Sequence, residues 1–253
     1  MDSNEFSSND KRWDGYQSRY MHGEYRAHIF RDMILAELKR LSSVSGEPLT
    51  IVDIGCGGGF DGDARIQQEI AKYAGSYIGI EPDKEVNLLP IFSRTFQSTL
   101  EDAAIEPDSV DVAFAVMVLE HIENPSLFWN QIRNMLKHGG IFIGFTVDAR
   151  HWFVDASVAF DKLRIKDIYL NALHGKRGEQ RYENYGVYYR INDPDSIRMQ
   201  TIEFARSETI AFQKIGQLDY YFPNGIKWVA RTVDRIDRWR GKAGNVIAIR
   251  IER

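Results

Sequence analysis

The sequence is poor in cysteine and has no long hydrophobic run. Its one cysteine, Cys56, has no second thiol to pair with, so no internal disulfide is possible. The longest apolar stretch, residues 112–119, is far shorter than the roughly 20 residues that a membrane-spanning helix needs. The opening residues MDSNE are polar and acidic and do not resemble a secretory signal. We therefore expect a cytoplasmic protein without stable membrane insertion.

The sequence also lacks a strong excess of charge of either sign. It contains 32 basic and 36 acidic residues, which give a net charge of −4 at pH 7, whereas nucleic-acid-binding domains are usually basic. The pattern G-x-x-x-x-G-K-[ST] is absent, which excludes ordinary P-loop nucleotide triphosphatases. With 253 residues, 43% of them hydrophobic, the chain has the size and composition of one α/β domain with room for a lid insertion.

The most informative segment is residues 50–60, TIVDIGCGGGF. Apolar and β-branched residues lead to Asp53, and a burst of glycines begins at Gly55, the pattern of a buried parallel strand that enters a tight turn. Glycine accepts positive φ and lets backbone amides approach a ligand closely. The usual ligand at the carboxyl end of such a strand is a nucleotide-like cofactor. The nicotinamide-binding pattern G-x-G-x-x-G is not met, because Phe60 occupies its third glycine position.

The series Asp53-x-Gly55-x-Gly57-x-Gly59 resembles motif I of the class I S-adenosylmethionine-dependent methyltransferases. The resemblance extends over residues 49–147. It implies an α/β, Rossmann-like fold with a seven-stranded, mostly parallel sheet, helices on both faces and a lid insertion after strand five. A glycine turn without a ligand and a nicotinamide oxidoreductase are the alternatives.

The resemblance also implies which residues bind S-adenosylmethionine. Glu81 ends the second strand, where a carboxylate accepts hydrogen bonds from both ribose hydroxyls. The third strand-turn unit, which contains residues 98–105, would hold adenine at the backbone amides of Leu100 and Glu101, with Glu101 or Asp102 as the nearby acid. The alternative for each of these two acids is a solvated position in the turn. The implied cofactor-binding residues are Asp53, Gly55, Cys56, Gly57, Glu81, Pro82, Leu100, Glu101 and Val116.

The end of the fourth strand, residues 116–122, is similar to the corresponding stretch of small-molecule methyltransferases of the ubiquinone-pathway type. Base-modifying amino methyltransferases carry an N/D-P-P-Y/F tetrad near this position, and no such tetrad occurs here. We therefore expect a small-molecule substrate, no nucleic acid and no metal. His121 would lie beside the methyl group and is the candidate general base. Its alternative is a structural histidine, hydrogen-bonded within the turn between strand and helix.

The connection after strand five, residues 148–190, is too long for the minimal fold, and connections of this length are often functional lids. It is rich in aromatic residues and ends in Tyr188, Tyr189 and Arg190, the candidate substrate-binding residues. Tyrosine rings can stack on a substrate and hydrogen-bond it, but they can equally pack the insertion onto the core.

We interpret residues 1–253 as a single methyltransferase domain. Its parts are a helical N-terminal segment (12–45), the cofactor-binding core (49–147), the lid (148–190) and the C-terminal part of the core (191–253). The aromatic residues near the N-terminus either fold over the cofactor pocket or pack on the domain surface. Residues 226–238 form a helix with one apolar and one basic stripe. The basic stripe is either a solvated face or a contact for a membrane surface or an anionic substrate.

The function expected from these observations is S-adenosylmethionine-dependent methylation, on an oxygen atom of a polar small molecule, a sugar unit or a carboxylate. Methyl transfer is an in-line displacement, so alignment of the reactants supplies much of the acceleration. An oxygen nucleophile also profits from a base. The alternative is a non-catalytic S-adenosylmethionine-binding sensor or scaffold protein.

Overall fold

The computed structural model describes residues 13–60, 62–156, 186–217, 219, 222–239 and 244–253. Residues 157–185, which make up most of the predicted lid, lie outside the described residues. The helices are α1 (Asp14–Met21), α2 (Arg26–Ser45), α3 (Ala64–Ala71), α4 (Pro125–Met135), α5 (Pro194–Gln200) and α6 (Lys227–Trp239), with a 3₁₀ turn at Leu119–His121. The strands are β1 (Leu49–Ile54), β2 (Ala74–Ile80), β3 (Arg94–Phe96), β4 (Val110–Val116), β5 (Leu136–Val147), β6 (Arg206–Phe212) and β7 (Val246–Glu252).

The strands form one seven-stranded sheet in the order β3-β2-β1-β4-β5-β7-β6. The first five strands in this order are parallel, whereas β7 is antiparallel to both of its neighbours, β5 and β6. The predicted Rossmann-like, seven-stranded and mostly parallel sheet is confirmed. Because the parallel strands share a direction, their carboxyl ends meet at one edge of the sheet.

Helices cover both faces of the sheet. Successive strand residues point to opposite faces, and β1 shows the consequence. Val52 packs in one apolar cluster with Phe128 of α4, and Ile51 packs in the other with Phe30 of α2. Burial on both sides explains why the central strands are almost continuously apolar in sequence.

In the sequence, Asn124-Pro125 and Asp193-Pro194 predict two helix starts, and the observed caps confirm both. The Asn124 side chain accepts the amide of Leu127 ahead of α4, and the Asp193 side chain accepts two amides of the first turn of α5. Each cap is followed by proline, which is pre-organised for the first helical position. Asn-Pro and Asp-Pro are therefore reliable start signals in this chain.

Two predicted helix ends are wrong, both at glycines. The sequence predicts that Gly75 ends α3, but α3 ends at Ala71 and Gly75 lies in β2, where a Cβ would come within 2.8 Å of the Pro48 Cβ. Residues 137–140 are predicted to close α4, but that helix ends at Met135 and they belong to β5. In both places glycine allows close approach within the sheet, and composition alone does not distinguish this use from helix termination.

The described part of the N-terminal segment packs against β6. The Trp13 indole donates to the Glu208 carboxylate at 3.1 Å, and the Gln17 amide donates to the Ala211 carbonyl at 3.0 Å. Tyr20 meets Phe212 edge to face, with the ring centroids 5.7 Å apart. None of the described helices is long and apolar enough to cross a bilayer.

Candidate cofactor and acceptor site

The glycine turn after β1 is shaped by close contacts. Gly55 and Gly59 have φ angles of 69° and 122°, in the region that favours glycine. The amides of Gly55 and Cys56 donate to the Ile80 carbonyl at 2.8 and 3.0 Å, which ties the turn to the end of β2. A Cβ on Gly55 would lie 2.3 Å from Cγ2 of Val118. The turn therefore touches the end of β4, where the methyl acceptor is expected.

Glu81 joins the glycine turn to the end of β2. Its side chain is 6% exposed. Oε2 accepts the amide of Gly57 at 3.0 Å, and Oε1 accepts the amide of Asp83 at 3.0 Å. Both carboxylate oxygens are therefore held in place by backbone amides. The structure thus holds an oriented carboxylate beside the turn, as the ribose-binding prediction requires.

Asp53 lies beneath the turn rather than in it. Its Oδ2 accepts Nε2 of Gln67 at 2.7 Å and the hydroxyl of Tyr77 at 3.0 Å. Gln67 also donates to the Cys56 carbonyl at 2.7 Å. Burial raises the pKa of Asp53 to about 7. Asp53 anchors α3 and β2 to the turn through these bonds, and its direct contact with a cofactor stays a prediction.

The segment predicted to hold adenine is a short turn after β3. Leu100 is 2% exposed, and its side chain lies in the core. Glu101 is half-buried, whereas Asp102 is exposed and accepts the Thr99 hydroxyl at 3.3 Å. Pro82, directly after Glu81, is half-buried. Of the two acids left open by the sequence, the less exposed Glu101 fits a ligand-facing role better.

The chain turns sharply at the end of β4. Val116 is half-buried as the last strand residue, and Met117 adopts a left-handed conformation with φ of 57°. The Met117 amide donates to the Phe145 carbonyl of β5 at 2.7 Å. A left-handed conformation costs a non-glycine residue about 1–3 kcal/mol, and such strain is concentrated at functional sites. Here it directs the chain into the 3₁₀ turn that carries His121.

His121 contacts the segment that returns from the predicted lid. Its Nδ1 lies 2.9 Å from the carbonyl oxygen of Gly186. A carbonyl only accepts hydrogen bonds, so Nδ1 carries the proton and Nε2 is the basic nitrogen of the neutral ring. This bond runs to the returning segment and not, as the structural alternative expects, within the turn between strand and helix, and it gives the tautomer that a general base needs.

The returning segment, residues 186–192, is fixed to the end of β4. The amides of Tyr188 and Tyr189 both donate to the Glu120 carbonyl, at 2.8 and 3.3 Å. Arg190 donates to the Glu123 carbonyl, and its guanidinium lies 5.2 Å from the centre of the Tyr188 ring. The three candidate substrate-binding residues are therefore brought together with His121, although they are distant in sequence.

A buried polar group beside His121 was not predicted from the sequence. The Glu120 carboxyl, 7% exposed, accepts the Thr146 hydroxyl at 2.8 Å, and Asn192 donates to the same hydroxyl. Burial raises the pKa of Glu120. These contacts join β4, β5 and the returning segment at the acceptor side of the sheet edge. The one sequence signal that could have pointed to Glu120 is its place as an acid directly after an apolar strand and before His121.

Comparison with known proteins bears on the family and the fold of the chain. A family model described as a methyltransferase domain matches residues 25–196, which is more than half of the chain. A ubiquinone biosynthesis O-methyltransferase of Mesorhizobium japonicum is 32% identical over 131 residues, which are 49% of this chain and 51% of the relative. One of Paramagnetospirillum magneticum is 25% identical over 150 residues, 56% of this chain and 55% of the relative. The chain spans about half the length of the curated relatives it matches.

Solved structures resemble the whole fold at low identity. An S-adenosylmethionine-dependent methyltransferase from Mesorhizobium loti has a TM-score of 0.50 and 14% identity, over 81% of this chain and 91% of the other. One from Archaeoglobus fulgidus has a TM-score of 0.50 and 12% identity, over 95% of this chain and 100% of the other. At these identities the likeness establishes the fold alone.

Proposed function

We propose that this chain, which belongs to the class I S-adenosylmethionine-dependent methyltransferases, methylates an oxygen atom of a polar small molecule, a sugar unit or a carboxylate. The curated relatives named above are O-methyltransferases, which supports an oxygen acceptor. They match over about half of their length, so their own substrate is not carried over to this chain.

The described residues around the glycine turn fit S-adenosylmethionine. The Gly57 amide holds the Glu81 carboxylate in place, and we assign the ribose hydroxyls to this carboxylate. We assign the adenine edge to the backbone of Leu100 and to Glu101, and the remainder of the cofactor to the turn and Val116. When bound, S-adenosylmethionine supplies an electrophilic methyl group on a sulfonium.

The observation that most directly supports methylation of an oxygen atom is the position and tautomer of His121. Val118 touches the glycine turn, and the His121 amide donates to the Val118 carbonyl at 2.9 Å, so the imidazole belongs to the turn beside the expected methyl position. The bond from Nδ1 to Gly186 makes Nε2 the proton acceptor. An acceptor hydroxyl placed between Nε2 and the methyl group would lose its proton to the ring as its oxygen attacks.

The returning segment supplies groups for holding a polar acceptor. Tyr188 is 39% exposed, and its ring is stacked beneath the Arg190 guanidinium. Arg190 donates one hydrogen bond to the Glu123 carbonyl, and a guanidinium has five N–H donors in all. We assign carboxylate or hydroxyl groups of the acceptor to the remaining donors and to the tyrosine hydroxyls.

The test is a labelled-methyl transfer screen with S-adenosylmethionine and three acceptor classes: hydroxylated aromatics, sugars and carboxylates. We expect transfer to one class, with a product that retains the label on oxygen. Arg190→Gln should raise the acceptor KM while leaving the cofactor Kd unchanged, and Arg133→Gln, on the outer side of α4, is the matched control. Cofactor binding without transfer to any acceptor would favour the sensor alternative, and label on nitrogen or carbon would contradict the oxygen assignment.

A further inference from the structure

Helix α6 exposes the apolar side that a surface helix normally buries. Its buried residues are Ala230, Asp234 and Asp237. The large apolar side chains at and just before the helix are largely exposed: Ile226 by 46%, Trp228 by 66%, Val229 by 43%, Ile236 by 42% and Trp239 by 86%. This is a cluster of exposed apolar groups rather than a single scattered residue, and such clusters mark interaction surfaces.

The two acidic residues of α6 face the body of the protein. The Asp234 carboxylate accepts the Trp152 indole N–H at 2.9 Å and the Gly216 amide at 2.9 Å. Asp237 is 7% exposed. Since both carboxylates are turned inward, they do not neutralise the outer surface of the helix.

The outer surface of α6 is basic beside the apolar cluster. Lys227, Arg231, Arg235 and Arg238 recur at spacings of four, four and three, which places them in one stripe. Arg231 pairs with Asp219. Around the helix axis, the buried sector is followed by the basic stripe, then by Trp228 and Trp239, and then by the aliphatic residues.

An apolar groove adjoins this surface. It has a volume of about 320 Å³ and is lined by Trp152, Phe222, Ile226, Val229, Ala230 and Val233. The groove continues the aliphatic sector of the helix, so the apolar surface extends beyond the helix itself.

We propose that α6 docks this methyltransferase on the surface of a bilayer that contains anionic phospholipids. Charge complementarity carries the choice of partner, because the basic stripe stands out on a chain whose net charge is −4. Helices that lie in a membrane interface combine a basic sector with an apolar sector, and their tryptophans sit at the boundary between headgroups and acyl chains. α6 has all three sectors in that order. The inference does not depend on the acceptor of the methyl group.

Sedimentation of the full chain with vesicles tests the proposal. We expect binding to vesicles of phosphatidylcholine mixed with phosphatidylglycerol, little binding to phosphatidylcholine alone, and weaker binding at high salt because the Debye length shortens. Trp228 and Trp239 should also show a blue shift in fluorescence on binding, which is lost in the Trp228→Phe/Trp239→Phe variant.

Matched variants separate α6 from the rest of the surface. Lys227→Gln/Arg235→Gln should weaken vesicle binding roughly 30-fold, since each basic residue near an anionic surface contributes about a fivefold factor. Lys39→Gln/Lys72→Gln removes two exposed charges elsewhere and should leave binding unchanged. Trp228→Ser/Trp239→Ser should abolish binding, whereas Met199→Ser/Ile202→Ser, at sites 67% and 81% exposed, should not.

Several results would overturn the proposal. They are equal binding to neutral and anionic vesicles, no binding to either, or equal losses in the α6 variants and their controls. A dimer in sedimentation velocity that the α6 variants dissociate would assign the surface to a second copy of the chain instead. Circular dichroism and S-adenosylmethionine affinity, both expected to be unchanged in the α6 variants, show that the variants are folded.

Discussion

Gly55 and Val118 come so close that position 55 has no room for a side chain: a Cβ there would lie 2.3 Å from Cγ2 of the valine. This contact joins the cofactor turn after β1 to the strand end that leads to His121. The two parts of the site are therefore packed against each other, and a substitution in the turn should also shift the strand end that leads to His121.

The first prediction compares two glycines of the same turn. Gly55→Ala should destabilise the fold by roughly 2–4 kcal/mol, since it adds an overpacked methyl group and a left-handed conformation with φ of 69°. It should also weaken S-adenosylmethionine binding. Gly58→Ala is the matched control, because a Cβ there meets no atom within 4 Å. Denaturant unfolding and calorimetry measure the two effects.

The steric cause of that effect can be isolated by a second substitution. Gly55→Ala/Val118→Ala removes the colliding methyl groups and should recover part of the lost stability, while the cost of the left-handed backbone persists. If the double variant is no more stable than the sum of the two single changes predicts, the collision with Val118 is not the cause of the stability lost in Gly55→Ala.

The second prediction concerns the ribose assignment of Glu81. Glu81→Ala should weaken S-adenosylmethionine binding by roughly 1.5–3 kcal/mol, the scale of hydrogen bonds to a charged group. Glu85→Ala, four residues later and exposed, is the control. Calorimetry that finds the same cofactor affinity in Glu81→Ala and Glu85→Ala would remove Glu81 from the site.

Some of this site could be predicted from the sequence because the signals were local. Glu81 was found because a parallel strand ends at it, and the same rule located the glycine turn. Gln67 and Tyr77 were missed, since nothing in their neighbouring sequence shows that both donate to Asp53 across three elements.

The contacts of the returning segment show the same limit. His121 and Gly186 are 65 positions apart, and a pairing at that separation is set by the path of the chain rather than by a motif. The left-handed conformation of Met117 could not be predicted from the sequence either, because methionine is not a residue that favours turns. Sequence thus identified the elements and the strand ends, while tertiary contacts decide how the acceptor side is assembled.

The third prediction concerns the pH dependence of stability. Asp53 has a pKa of about 7 in the fold, against about 3.9 for an unfolded chain. Between these values the folded state keeps a proton that the unfolded state has released, so the free energy of unfolding falls as pH rises through this window and levels off above it. Ionised Asp53 is thus a buried charge that opposes folding.

Asp53→Asn should reduce this dependence, because an amide oxygen still accepts from Gln67 and Tyr77 but does not titrate. The difference in Tm between pH 5 and pH 8 should shrink by several degrees, given roughly 2–4 °C per kcal/mol for a chain of this size. Asp155→Asn, at an exposed position, should leave the difference as it is. An unchanged difference in Asp53→Asn would place the titration elsewhere.

The fourth prediction tests His121 as the general base. His121→Ala should reduce turnover of a hydroxyl acceptor by about 10²–10⁴-fold, the usual contribution of a positioned base, while the cofactor Kd stays nearly constant. His138→Ala, at an exposed position near the start of β5, should leave turnover and the cofactor Kd unchanged. A carboxylate acceptor is already ionised at neutral pH and needs no base, so its turnover should change much less.

His121→Asn separates the catalytic role from the structural one. Its side-chain amide can donate to the Gly186 carbonyl in place of Nδ1–H, but it offers no basic nitrogen in place of Nε2. If His121 is the base, His121→Asn should be as slow as His121→Ala on a hydroxyl acceptor, in single-turnover rates with saturating cofactor. If His121→Asn instead retains wild-type turnover while His121→Ala loses it, the histidine acts by holding the returning segment. The search for a base then moves to the hydroxyls of Tyr188 and Tyr189, which the same segment brings to this edge of the sheet.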